Sequence, residues 1–241
     1  MKIETSTYKV PISRLNKFMP SIEDLKSRLM TSHDHPDRDR FQKQASVSLV
    51  LKRSPQSGLQ ILFIKRVIHP EDPWSGHMAF PGGHIEIGSE RPFEAALRET
   101  QEEVGIDLKQ AVFLGELDDF QVHFKGHPVN FIIYPHVFIC ESENCFEIVP
   151  DRSEVADWFW IDLEYFNQKN NMAELPYILG DNEVILPSFK FGEERIWGIS
   201  YLILMDLFQK LHGLKVPTKD GIWLLDSSHW IHYPHYSKNY K

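Results

Sequence analysis

Two apolar runs, "ASVSLVLKR" from Ala45 and "GLQILFIKR" from Gly58, are rich in β-branched and aliphatic residues and are separated by "SPQS", a turn-forming composition. Together they predict a β-hairpin. After a loop rich in Pro, Trp and His, "HMAFPGG" predicts a short strand ending in a forced turn, and "AVFLGELDDFQV", "VNFIIYPHVFICE" and "DWFWIDL" predict further strands. Two segments have the helical period instead. In the first, Phe93, Ala96, Leu97, Thr100 and Val104 recur at helical intervals as a buried stripe, leaving Arg98, Glu99, Glu102 and Glu103 on the other side. Ser89 is its candidate N-cap, Pro92 fits a first turn whose amides need no partner, and Gly105 is the stop. The second, "ERIWGISYLILMDLFQKLHG", predicts a long helix closed by Gly213. A shorter amphipathic helix is expected in "PSIEDLKSRLM", with Ser21 as N-cap and Ile22, Leu25 and Leu29 at helical spacing.

The order of strands, helix, strands, helix implies an α/β (α+β) fold around a mixed sheet. The pattern divides the chain into an N-terminal extension with a short helix and polar linker (1–44), a main domain (45–212) and an aromatic, His-rich tail (213–241). His33, Asp34 and His35 in "TSHDHPDRDRFQKQ" resemble metal ligands, but the polar, mixed-charge segment reads as a solvated linker. His229, His232 and His235 lie in a tail whose Pro234 breaks any helical register, which favours packing of an aromatic tail on the domain.

Composition narrows the function. The chain has 241 residues, 42% hydrophobic and 25% charged, as in a soluble globular protein, and a formal net charge of -8. That field opposes non-specific binding to nucleic acid or to an anionic membrane, so small anionic substrates need local cations or metal. The N-terminus lacks the apolar segment of a signal peptide, and nowhere do 18 apolar residues run together, so an intracellular, cytoplasmic protein is expected. Cys140 and Cys145 in "CESENC" then read as reduced thiols.

The candidate chemistry is in "GGHIEIGSERPFEAALRETQEEVGI". Glu99, Glu102 and Glu103 stand at i, i+3 and i+4, so they repel one another, and they crowd the end of the helix where the dipole favours cations. A solvated acidic face would tolerate carboxylates there but would not require the "FPGG" turn, whose glycines let backbone approach another group closely. A site for a hard divalent cation explains both features, because magnesium takes oxygen ligands from a few carboxylates together with substrate phosphates.

The stretch resembles the Nudix box, G-x5-E-x7-R-E-U-x-E-E-x-G-U with U apolar. Glu90, Arg98, Glu99, Glu102, Glu103, Gly105 and Ile106 match in type and spacing, whereas Gly83 lies one residue farther upstream and Thr100 stands where an aliphatic residue is usual. The resemblance implies a Nudix-type α/β/α sandwich, a mixed β-sheet packed between helices. It also implies hydrolysis of the diphosphate linkage of a nucleoside diphosphate derivative with Mg2+ or Mn2+. By the same resemblance Glu99, Glu102, Glu103 and the Gly83 carbonyl are metal ligands, Arg98 orients the carboxylates, and Glu90 supports the loop–helix geometry. The general base is Glu99 or, from a loop before a strand, Glu154.

"LFIKRVIHPEDPWSGHMAFPGG" further resembles the segment before the box in coenzyme A pyrophosphatase-type Nudix enzymes, through Arg66, Gly76, Phe80, Pro81, Gly82 and Gly83. "ERIWGISYLIL" resembles their C-terminal tryptophan-glycine helix. This implies coenzyme A or its acyl derivatives as substrate, with Arg66 and His77 as substrate contacts, while Trp74 is expected to cap the core. Hydrolysis of ADP-ribose, NADH or dinucleoside polyphosphates, and a non-catalytic nucleotide-sensing module, are the alternatives. The two extensions are expected to form a homodimer interface, to cover the substrate cleft or to cap the sheet.

Overall fold

The computed structural model describes residues 20–29, 40–54, 58–72, 74–124, 127–141, 147–179 and 182–211. His33, Asp34, His35, Cys145, Gly213 and the three tail histidines lie outside them. Strand β1 (Lys43–Ser54) is the spine. Along one edge it pairs parallel with β7 (His127–Cys140) from Lys43↔Phe131 to Lys52↔Cys140. Along the other, its second half pairs antiparallel with β2 (Gly58–Arg66), as the hairpin expectation required.

Beyond Leu51↔Ile61 the two hairpin strands diverge, and the "MAFPGGH" segment fills the wedge. Met78–Ala79 (β3) adds to β2 and Gly82–His84 (β4) adds to the first half of β1, a strand the sequence pattern did not announce. The Ser48 N–H donates to Pro81 O at 2.8 Å and fixes the turn between them. β8 (Val155–Asp162) covers the far edge of β2, and β5 (Val112–Glu116) and β6 (Phe120–Phe124) share the far edge of β7. The result is one eight-stranded mixed sheet.

Strict alternation along its strands builds two cores. Leu49, Leu51, Ile61, Phe63, Val137 and Ile139 face one side, where α1 (Ile22–Leu29) and α3 (Gly198–Leu211) pack. Val50, Leu62, Ile64 and Phe138 face the other, against Val104 and Leu97 of α2 (Pro92–Val104). The helices on opposite faces make an α/β/α sandwich. Ser21 caps α1, its Oγ accepting the Asp24 N–H at 3.0 Å. Phe41, placed in the polar linker by composition, is 5% exposed and packs with Ile85, Ala95 and Tyr134.

Other departures have local causes. Ser89 does not cap α2: its hydroxyl turns back to Glu86 O at 3.0 Å, and the N-cap is Arg91, whose N–H is accepted by Glu94 at 2.8 Å. Gly105 does end the helix, in the left-handed region at φ 76°. "ERIW" is not helical. Glu194–Trp197 forms β11, paired with β10 (Asn182–Phe191), which pairs with β9 (Met172–Leu179) in a second, three-stranded sheet. Gly198 at φ 60° makes the turn from β11 into α3. Thr100 is buried, with Oγ1 2.8 Å from both Ser48 Oγ and Ala96 O, so a polar side chain at this helix–sheet contact is satisfied by a polar neighbour.

Gly82 is the tightest point of the wedge. At φ 150° its added Cβ would lie 2.2 Å from Ser46 O and 2.6 Å from Val47 Cα, both backbone atoms that cannot swing aside. Gly82→Ala is therefore expected to destabilise the fold by about 3 kcal/mol or more, read as a lowered urea midpoint with an unchanged slope.

Candidate active site

The wedge brings the glycine turn against the C-terminal half of α2. A Cβ added to Gly83 would meet the Glu99 carboxyl carbon and Oε2 at 2.4 Å, so the absence of a side chain there leaves room for that carboxylate. Glu103 is 2% exposed, and its Oε2 accepts the Gly82 N–H at 2.8 Å. It was expected on the outward carboxylate side, but the added strand β4 closes over this part of the helix. Glu102 remains outermost, with its side chain 59% exposed.

Arg98 provides the compensating charge. Its Nε and Nη2 grip both oxygens of Glu90 at 3.1 and 2.6 Å, and Nη1 reaches Glu99 Oε1 at 2.8 Å and Glu102 Oε2 at 3.0 Å. Nη2 also donates to His84 O at 3.0 Å, tying the helix to β4. The bidentate bond from Arg98 holds the Glu90 carboxyl below its ordinary range, and Glu90 in turn is the first cause of the raised Arg98 pKa. Burial dominates for the other two: it raises Glu99 against the pull of Arg98, and it pushes Glu103 up to about 8.

The helix end is satisfied by an incoming loop. Val149 N–H donates to Val104 O and Asp151 N–H to Glu103 O, each at 2.9 Å, so the terminal carbonyls do not face the carboxylates bare. The same loop carries Glu154, anchored by Val67 N–H on Glu154 O at 2.9 Å. The Glu154 side chain is exposed, and its charge raises the pKa of both Glu99 and Glu103, so the fold does bring it toward the cluster.

Arg66 approaches from the end of β2, where a register shift interrupts the pairing with β8. Its charge favours ionised Glu103, and its Nη2 donates to Asp72 Oδ2 at 2.8 Å. Asp72 was not singled out from sequence, since no spacing rule joins it to Arg66. Burial works against its charge, but hydrogen bonds from Arg66 and the Trp74 N–H keep its pKa low. His77 joins Arg66 through its carbonyl, which accepts the Arg66 N–H at 3.0 Å, and burial lowers its pKa. Trp74 packs edge-on against Phe131, with centroids 5.9 Å apart, as a cap on the core.

The donor set suits a hard divalent ion: three carboxylates and a glycine turn, with one carboxylate kept in a dry environment that disfavours its charge unless a cation is near. Among the described residues no three acidic, imidazole or thiol groups already converge on one point. Arg98 draws Glu99 and Glu102 to itself while Gly82 holds Glu103. Glu102 Oε1 and Glu103 Oε1 take part in none of these bonds.

Comparison with known proteins agrees with this layout. The NUDIX domain profile matches residues 42–179. An uncharacterized Nudix hydrolase, NudL, of Salmonella newport is 39% identical over 169 residues, 69% of this chain and 81% of that protein. The mitochondrial Nudix hydrolase 15 of Arabidopsis thaliana is 28% identical over 174 residues, 70% of this chain and 59% of the relative. An uncharacterized protein of Schizosaccharomyces pombe is 48% identical over 61 residues, only 18% of its length, so these last two relatives extend well beyond what the chain matches. With the profile spanning more than half of the chain, and the helix, glycine turn and carboxylates assembled on one sandwich, the chain belongs to the Nudix family.

Proposed function

We propose that this chain hydrolyses the diphosphate linkage of a nucleoside diphosphate derivative with the help of Mg2+ or Mn2+, and that coenzyme A or its acyl derivatives are the substrate, giving 3',5'-ADP and 4'-phosphopantetheine. The observation that carries the reading is the carboxylate cluster at the glycine turn, with Glu99 and Glu102 on Arg98 and Glu103 on the Gly82 N–H. The coenzyme A assignment rests on the resemblance of the Arg66–Gly83 segment to the pyrophosphatase subgroup. ADP-ribose, NADH and dinucleoside polyphosphates are the alternatives within the same chemistry.

Glu99, Glu102, Glu103 and the Gly83 carbonyl would hold the metal, which when bound supplies charge neutralisation on the diphosphate oxygens and a more acidic water. Arg98 keeps the carboxylates aimed through Glu90 and His84 O. Glu99 is the proposed acceptor of the attacking water's proton: Arg98 occupies Oε1, and Oε2 lies over Gly83. Glu154, exposed on its anchored loop, is the second choice. Arg66, whose charge acts on Glu103, and His77, joined to it, would contact the substrate, with Arg66 supplying positive charge to the diphosphate.

Incubation with coenzyme A and Mn2+, followed by mass-resolved chromatography, should release 3',5'-ADP and 4'-phosphopantetheine, and Glu102→Gln should lower the rate at least 100-fold with an unchanged melting temperature; wild-type turnover by this variant would refute the site. Gly83→Ala should reduce kcat by a comparable factor with little loss of stability, because the new methyl meets the end of the Glu99 side chain rather than backbone. Without metal, stability should fall as pH rises from about 4.5 to 8. Folded Glu103 binds its proton more tightly than the unfolded chain does, so its contribution is complete at low pH and is lost as pH climbs through about 8. Saturating Mg2+ should flatten that slope in chemical denaturation curves.

A further inference from the structure

Beyond Arg66, His77 meets two further rings that the chemistry above does not use. Trp197, the last residue of β11, has its ring centroid 4.7 Å from His77 and 5.4 Å from Tyr177 of β9. The ring planes are inclined by 58° and 50°, so neither contact is a parallel stack that would cover a ring face. All three residues are only half-buried. Their positions are set by register: Ser188 of β10 pairs with both Trp197 and Ala173, which places Trp197 on the same face of the small sheet as Ala173, Leu175 and Tyr177.

This group adjoins the diphosphate chemistry through Arg66. The Arg66 charge acts on both Glu103 and His77, and the Arg66 N–H is bonded to His77 O at 3.0 Å. The small sheet is held to the main one at this place by Lys65 of β2, whose Nζ donates to Glu194 Oε1 of β11 at 2.5 Å. A diphosphate lying between the carboxylates and Arg66 therefore has half-exposed aromatic surface at its far end. Planar heteroaromatic rings bind such surfaces by stacking, with little dependence on ring identity.

We infer that Trp197 and Tyr177, backed by His77, form the subsite that receives the planar base of the nucleotide. The placement rests on the diphosphate-hydrolase reading of the carboxylate cluster, while the contact itself requires no turnover. The subsite selects nucleoside diphosphates over diphosphates without a base and leaves the group on the other side of the diphosphate to be chosen elsewhere.

The test is binding of ADP and of ribose 5-diphosphate, each with Mg2+, followed by calorimetry. The wild type should bind ADP about tenfold more tightly than the base-free ligand, the advantage that one stacked base confers. Tyr177→Ala and Trp197→Leu should remove that advantage while leaving the ribose 5-diphosphate Kd unchanged, and Trp197→Phe, which keeps an aromatic face, should retain most of it. Melting temperatures close to wild type establish that each variant is folded, and if Trp197→Leu fails to fold, Tyr177→Ala and Trp197→Phe still decide the matter. No preference for ADP in the wild type, a preference surviving in folded Tyr177→Ala, or equal weakening of both ligands would overturn the inference. A wild type that prefers ADP in this way yet cleaves no diphosphate would overturn the hydrolase reading and leave the subsite standing.

Discussion

The guanidinium of Arg98 is the interaction on which the site depends. A helix that ends in three carboxylates is unfavourable by itself, since like charges three and four residues apart repel and the helix dipole adds to the penalty. One planar, permanently charged group with five donors can answer several carboxylates at once, which a point-like ammonium cannot. Arg98 turns its Nε–Nη2 edge to Glu90 and uses Nη1 on Glu99 and Glu102. Its remaining bond, to His84 O, joins the helix to β4 and thereby to the glycine turn.

That turn is a consequence of sheet geometry. β1 and β2 twist apart after four paired residues, and the chain that returns between them must lie against both backbones. Side chains are excluded at Gly82 by the backbone of β1 and at Gly83 by Glu99, so the same two glycines that let the sheet close also make space for a carboxylate. Structure and chemistry are coupled here. The N–H that would otherwise be orphaned at Gly82 is given to Glu103, which fixes the most deeply buried acid of the cluster.

The loop before β8 solves the opposite end of the problem. By donating Val149 and Asp151 amides to the last carbonyls of α2, it satisfies groups that water or a glycine motif alone would otherwise serve. It also delivers Glu154 and, through Val67, meets the strand end that carries Arg66. Helix terminus, second candidate base and the strand end that carries Arg66 are thus held by one short segment, so a change in that loop would be felt at all three.

The sequence by itself determined the central hairpin, most strands of the main sheet, the stop of α2 at Gly105 and the identity of the acidic cluster, because each is written in local periodicity, turn chemistry or spacing. It did not reveal that Glu103 is buried, since a helical wheel knows angles but not that β4 lies over that face. It placed "ERIW" in a helix because apolar spacing over four residues fits either state, and only pairing with β10 makes it a strand. Asp72 beside Arg66, Ser48 beneath Thr100 and Tyr177 beside Trp197 are contacts between residues 6, 52 and 20 positions apart. Such partnerships depend on strand register and on where the two sheets meet, and these are decided by packing of the whole chain rather than by any window of it.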